Sequence, residues 1–164
     1  KGGVILYPTD TLWGLGCDAT NDSAVKRIFR IKNRPQGKSM IVLLDDIKKL
    51  CFYVREIPRT TLQLLKFTKR PLTIVYPGGM NLSAYLYGSD GSIAIRITRN
   101  TFCKKLIRQF GKPIVSTSAN ISGEMPPANF GQFSSEVIRR VDYTVNWQQD
   151  DISFSIVYCF IKIR

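Results

Sequence analysis

The sequence predicts a single α/β domain built on a mixed β-sheet, and three observations carry that prediction. Short apolar runs of strand length alternate along the chain with stretches whose apolar residues recur at helical spacing. The length of 164 residues suits one domain and is enough to bury a sizeable core. The composition, 44% hydrophobic and 11% aromatic, is that of a globular chain, and no repeat, low-complexity block or linker divides it.

Val4-Ile5-Leu6-Tyr7 reads as a buried strand stopped by Pro8, and residues 9–17 as a loop holding two glycines. Asn21 or Asp22 can cap a helix reaching about Lys32, with Val25, Ile28 and Phe29 on one side. Arg34-Pro35 ends it, because a residue before proline is pushed out of the helical region. Residues 40–44 form a second buried strand, and Pro58 opens a helix running to Phe67. Residues 72–76 are a strand closed by Pro77-Gly78-Gly79, and residues 80–91 are a surface loop. Residues 92–98 alternate Ile93, Ile95 and Ile97 with smaller or polar side chains, the pattern of a half-buried strand. Thr101 caps a helix that turns Phe102, Leu106, Ile107 and Phe110 inward, and Gly111 terminates it. Residues 113–116 are a short strand entering the polar loop Thr117-Ser118-Ala119-Asn120. A weak helix is expected at 133–140, and strands at 142–145 and 152–163.

Composition excludes several chemistries. The chain has no histidine, which removes Ser-His-Asp and Cys-His catalysis and histidine-ligated zinc. Its net charge of +12 points to an anionic partner: nucleotide, nucleic acid or acidic surface. Cys17, Cys51, Cys103 and Cys159 are too dispersed for a CxxC zinc or redox motif and read as reduced thiols of a cytoplasmic protein. No apolar run approaches the ~20 residues of a membrane span, and no signal peptide is visible. A strand pattern begins almost at Lys1, so the natural chain is expected to start upstream.

Four segments could carry chemistry. Residues 8–16 (PTDTLWGLG) follow a strand, where α/β proteins place ligand loops, although an ordinary turn fits equally. Lys32 and Arg34, with Lys38 following, can reach one anion together, or can simply complement a helix C-terminal dipole. Residues 116–123 (STSANISG) cluster hydroxyl and amide groups that could hold phosphate or carboxylate, or could form a polar turn. Arg96 shares a strand face with Ala94 and Ser92, either solvated or aimed at a bound anion.

The joint order of PTDTLWGLG, KNRP, RPLT at 70–73, SIAIRIT and KPIVSTSANISG resembles the YrdC-like family of threonylcarbamoyl-adenylate synthases. The resemblance covers residues 2–126 well and the remainder loosely. It implies one domain on a twisted, open mixed sheet with flanking helices and a basic concave face. It implies a reaction in which L-threonine, bicarbonate and ATP, with Mg2+, give threonylcarbamoyl-AMP and pyrophosphate. A separate threonylcarbamoyl transferase complex would then modify tRNA. By position, Thr11, Arg96, Ser116 and Ser155 match threonine contacts. Lys32, Arg34, Ser118 and Asn120 match the catalytic tetrad at the nucleotide phosphates, and Lys38, Ser92 and Arg164 match further ATP contacts. No residue is expected to ligate a resident metal. The chain departs from the family pattern at Arg70 and Ser39, at Leu43 where some members have histidine, and at Ser153-Phe154-Ser155. The rival reading is an RNA-binding module of the same fold, binding tRNA or double-stranded RNA without synthesis. A carbamoyl-transfer domain of hydrogenase maturation fits less well, for want of zinc-finger cysteines.

Overall fold

The computed structural model describes residues 2–35, 40–125, 127, 132–133, 135–146 and 159–163. In chain order the elements are β1 (Ile5–Pro8), β2 (Trp13–Gly16), α1 (Asp22–Ile31), β3 (Ile41–Leu44) and a 3-10 turn at Ile47–Phe52. Then come α2 (Arg59–Phe67), β4 (Leu72–Tyr76), a second 3-10 turn at Ala84–Leu86, β5 (Ile93–Ile97) and α3 (Thr101–Phe110). β6 (Ile114–Ser118), α4 (Ser135–Arg140), β7 (Tyr143–Thr144) and β8 (Cys159–Lys162) complete them. The strands form one mixed sheet in the order β7-β1-β2-β6-β3-β5-β4-β8.

Residues 13–16 are a strand, not the loop their glycines suggest. β1 and β2 form an antiparallel hairpin in which Tyr7 faces Gly14 and Pro8 faces Trp13. Glycine is ordinarily poor in strands, but here the neighbours leave no room for more. A Cβ on Gly16 would stand 2.5 Å from Tyr7 Cε1 and 2.9 Å from the Val115 carbonyl oxygen. β6 likewise runs on to Ser118, because Thr117 and Ser118 pair with Leu15 and Gly14.

Alternation along the strands gives the sheet two unlike faces. One is a continuous hydrophobic core: Leu6, Leu15, Val42, Ile74, Ile95 and Val115 pack with Val25, Ile28 and Phe29 of α1. The other face is divided. On one half α3 lays Cys103 and Ile107 over Tyr7, Leu43 and Ile114. On the other half Thr73 and Arg96 are cross-strand partners, as are Gly14 and Ser118. Thr73, Arg96 and Ser118 make that half polar, and none of them belongs to the cluster under α3.

Several boundaries correct the sequence expectations. Asn100, not Thr101, caps α3, its side chain accepting from Cys103 N at 3.0 Å. Phe110 points outward, 47% exposed, because the buried stripe runs through Cys103 and Ile107. Gly111 ends α3 in the left-handed region, φ 77°, as its type suggests. Residues 80–91 are more than surface loop: Ser83 and Leu86 are buried, and Lys26 of α1 lies 4.5 Å over the Tyr85 ring. Among the described residues, no helix is long and apolar enough to cross a membrane. Cys17, Cys51 and Cys103 are free thiols.

Candidate functional site

Arg96 is the centre of the polar half-face. Its place in β5 is set by Ile93 and Ile95, which take the core side and leave Ala94 and Arg96 facing away. The side chain is 2% exposed. Nε donates to Thr73 Oγ1 at 2.9 Å, and Nη1 donates to Asp10 Oδ1 at 3.2 Å and Thr11 Oγ1 at 3.3 Å. Nη2 is buried without a hydrogen-bond partner. A buried guanidinium donor left unfilled is costly, so an acceptor entering the cavity would relieve it.

The PTDT loop is tied down by its own hydroxyl. Thr9 Oγ1 donates to Leu12 O at 2.6 Å and accepts from the amides of Thr11 and Leu12, each at 3.2 Å. This turn carries Thr11 and Asp10 over Arg96. Beneath it lies a cavity of about 30 Å3, lined among others by Thr11, Gly14, Ile41, Arg96, Ser116 and Ser118.

Lys32 and Arg34 approach from the end of α1. That helix closes in a Schellman arrangement: Arg34 N donates to Phe29 O at 3.0 Å and Asn33 N to Arg30 O at 3.3 Å. Asn33 occupies the left-handed position, φ 47°, that glycine usually fills. The sharp stop aims Lys32, only 1% exposed, at the end of β6. Lys32 Nζ donates to the Ser118 carbonyl and, at 2.6 Å, to the Asn120 carbonyl, with Asn120 Oδ1 3.5 Å away. Ser122 N returns a hydrogen bond to Lys32 O at 2.8 Å. Asn120 Nδ2 donates to Ile121 O at 3.0 Å and Glu124 O at 2.7 Å. All the oxygens around the ammonium are neutral. Burial and the nearby Arg34 charge push the Lys32 pKa down to about 8, and burial also lowers that of Arg34. Burial in each case disfavours the charged form of the side chain.

Thr11, Arg96, Ser116 and Ser118 therefore share one cavity, and Lys32 joins Ser118 and Asn120 just behind it. Ser92 is not among them. Its amide donates to Asp90 Oδ1 at 3.0 Å, and Asp90 is in turn held by Lys162 at 2.9 Å. The Ser92 hydroxyl, then Lys162 and the Ser92 amide, keep the Asp90 carboxyl well below its usual range. Leu43 is fully buried under α3, so that position supplies packing rather than a contact with the cleft. Lys38, Ser155 and Arg164 lie outside the described residues. Among those described, no cluster of histidine, cysteine and carboxylate groups could cage a metal. Sequence reasoning gave no role to Thr73, Asp10 or Asn33. The first two sit in the quoted motifs, and an Asn just before Arg-Pro at a helix end is a usable C-cap signal.

The Sua5/YciO/YrdC family, described as telomere recombination, matches residues 1–159. The chain belongs to this family. A threonylcarbamoyl-AMP synthase of Pseudoalteromonas translucida (strain TAC 125) is 37% identical over 149 residues, 89% of this chain and 80% of that protein. The H234A/Y235A form of P. abyssi Sua5 superposes with a TM-score of 0.86 at 27% identity, over 99% of this chain and 50% of that one. P. abyssi Sua5 complexed with L-threonine gives 0.76 at 30% identity, over 87% and 42%. E. coli YciO gives 0.75 at 26% identity, over 87% and 70%. The chain thus spans half or less of the Sua5 chains it matches. Within the Sua5/YciO/YrdC family frame, the polar half-face and the Lys32–Asn120 junction both fall inside the matched residues.

Proposed function

We propose that this chain is an L-threonylcarbamoyladenylate synthase, making threonylcarbamoyl-AMP and pyrophosphate from L-threonine, bicarbonate and ATP. The observation that carries the reading is a pair of buried cations on either side of Ser118: Arg96 in the cleft and Lys32 behind it. The reaction must place a carboxylate and a polyphosphate next to each other, and two fixed cations, one from β5 and one from the end of α1, meeting at the end of β6 can do that.

In this reading Arg96 Nη2, Thr11 and Ser116 hold threonine, with Ser155 completing the contact. Lys32, Arg34, Ser118 and Asn120 hold the ATP phosphates, with Lys38, Ser92 and Arg164 as further nucleotide contacts. The threonine nitrogen bonds to the bicarbonate carbon, and water leaves to give the carbamate. A carbamate oxygen then attacks the α-phosphorus, and the bond to the β-phosphate oxygen breaks, releasing pyrophosphate. Negative charge grows on the α- and β-phosphate oxygens, where Lys32 and Arg34 stabilise it without a proton transfer.

The polar side chains lining the cleft are Arg96 and hydroxyls, with the Asp10 carboxylate beside them already bound to Arg96. That set fits Mg2+ carried chiefly by the ATP phosphates, and Ser118 Oγ and Asn120 Oδ1 are hard oxygens that would help to hold it. Bound there, the ion would draw charge from the phosphate oxygens. The product is a mixed anhydride for a separate tRNA-modifying transferase complex, and the setting is the cytoplasm.

The deciding experiment incubates the protein with ATP, L-threonine, bicarbonate and magnesium and measures pyrophosphate. Threonine-dependent release is expected. Release that is no greater with threonine than without it, from a folded sample, overturns the synthase reading and leaves RNA binding by the basic surface as the alternative.

A further inference from the structure

Two residues inside the quoted motifs have no task in the reaction just described, and both touch Arg96. Thr73, from the RPLT segment, is fully buried on β4, directly across from Arg96 in the antiparallel pair. Its hydroxyl accepts from Nε at 2.9 Å. Asp10, from the PTDT loop, is 10% exposed and accepts from Nη1 at 3.2 Å. These acceptors lie on different edges of one planar guanidinium, so together they fix both its position and its rotation. Of the nitrogens only Nη2 is left without a partner, and the residue lines the cavity beneath the PTDT loop.

We propose that Thr73 and Asp10 are positioning residues that lock Arg96 so that Nη2 is the single donor presented to the substrate carboxylate. The proposal rests on the synthase reading and sharpens it. An arginine free to rotate could take a carboxylate through either edge, at several depths. A locked one takes it end-on, and that places the α-amino nitrogen at one distance from the phosphate side. The hydrogen bond, not the negative charge, is what Asp10 contributes. A second carboxylate entering beside Asp10 meets repulsion from it, so a purely electrostatic Asp10 would weaken substrate binding. Thr73 carries no charge at all, yet it makes the shortest of the three contacts to the side chain.

The test is a four-variant kinetic series on the full chain: Thr73→Val, Thr73→Ser, Asp10→Ala and Asp10→Asn. Thr73→Val and Asp10→Ala should each raise KM for L-threonine roughly 10-fold or more, with KM for ATP unchanged, because each removes an acceptor from a charged donor. Thr73→Ser and Asp10→Asn keep the acceptor oxygen and should restore KM to within about 3-fold of wild type. Calorimetric titration with L-threonine alone should show the same order. An Asp10→Ala variant that binds threonine as well as or better than wild type overturns the proposal. So does Thr73→Val with unchanged KM, or a loss shared equally between ATP and threonine. If wild type releases no threonine-dependent pyrophosphate but still binds threonine with this variant order, the synthase reading fails and the positioning stands.

Discussion

Lys32 Nζ lies 2.6 Å from the backbone carbonyl oxygen of Asn120, a residue 88 positions further along the chain. One buried ammonium thus fastens the end of α1 to the loop after β6. Lys32→Met keeps the length of the side chain and removes the charge and the donors. It should lower kcat/KM for ATP at least about 100-fold, the scale of losing a fixed charge at a phosphoryl group. Steady-state pyrophosphate assays check this, and a loss under threefold would remove Lys32 from the phosphate site.

The lowered pKa of Lys32 gives pH dependence a definite sign. The protonated ammonium attracts phosphate, so with a pKa of about 8 in the free protein, kcat/KM for ATP should fall as pH rises through about 8. Stability responds in the opposite direction. The unfolded lysine stays protonated to about 10.4, so from about pH 8 upward the unfolded chain binds the extra proton and the Lys32 contribution to stability rises. Burial pushes the Cys17 and Cys103 thiols up to about 12, and these oppose that rise once unfolded thiols ionise. Comparing wild type with Lys32→Met by urea unfolding from pH 7 to 9 isolates the lysine. A difference that does not change over that range contradicts a perturbed Lys32.

Gly16→Ala should be severely destabilising. Its Cβ would meet the Tyr7 ring at 2.5 Å and the Val115 carbonyl at 2.9 Å. Neither can retreat, since Tyr7 is buried under α3 and Val115 is paired within the sheet. A loss of about 3 kcal/mol or more is expected from such overpacking, read as a drop in melting temperature. Gly91→Ala provides the contrast. Nothing lies within 4 Å of its Cβ, and only its φ of 74° resists, so the cost should be about 1 kcal/mol.

Asn33→Gly should raise stability by a few tenths of a kcal/mol to about 1, because φ 47° suits glycine better than any L-residue. Asn33→Ala should lower it by about 1 kcal/mol. Both changes leave the polar atoms of Lys32 and Arg34 in place. An alanine variant as stable as wild type would mean that the helix end adopts another turn.

The alternation of Ile93, Ile95 and Ile97 located β5 and the outward face of Arg96 from the sequence alone, since strand geometry permits only two directions. The cap at Asn21 and the stop at Gly111 were readable for the same reason: their backbone demands are local. β2 was not. Its two glycines read as a loop, and only cross-strand crowding, by Tyr7 and Val115 at Gly16 and by Thr117 at Gly14, explains them. The motif order brought Lys32 and Asn120 together through family likeness. The partners of Arg96 required the cross-strand register that sets Thr73 opposite it.

The alternation on β5 also limits how this chain can fail. Ile95 fills the core and its neighbour Arg96 reaches the cleft, so a residue inserted between Ala94 and Ile95 would exchange their sides. A guanidinium would then face hydrocarbon, and an isoleucine would take its place under the PTDT loop. Packing and chemistry are therefore read from the same register. A slipped strand would not leave a well-folded but inert protein; it would forfeit both at once.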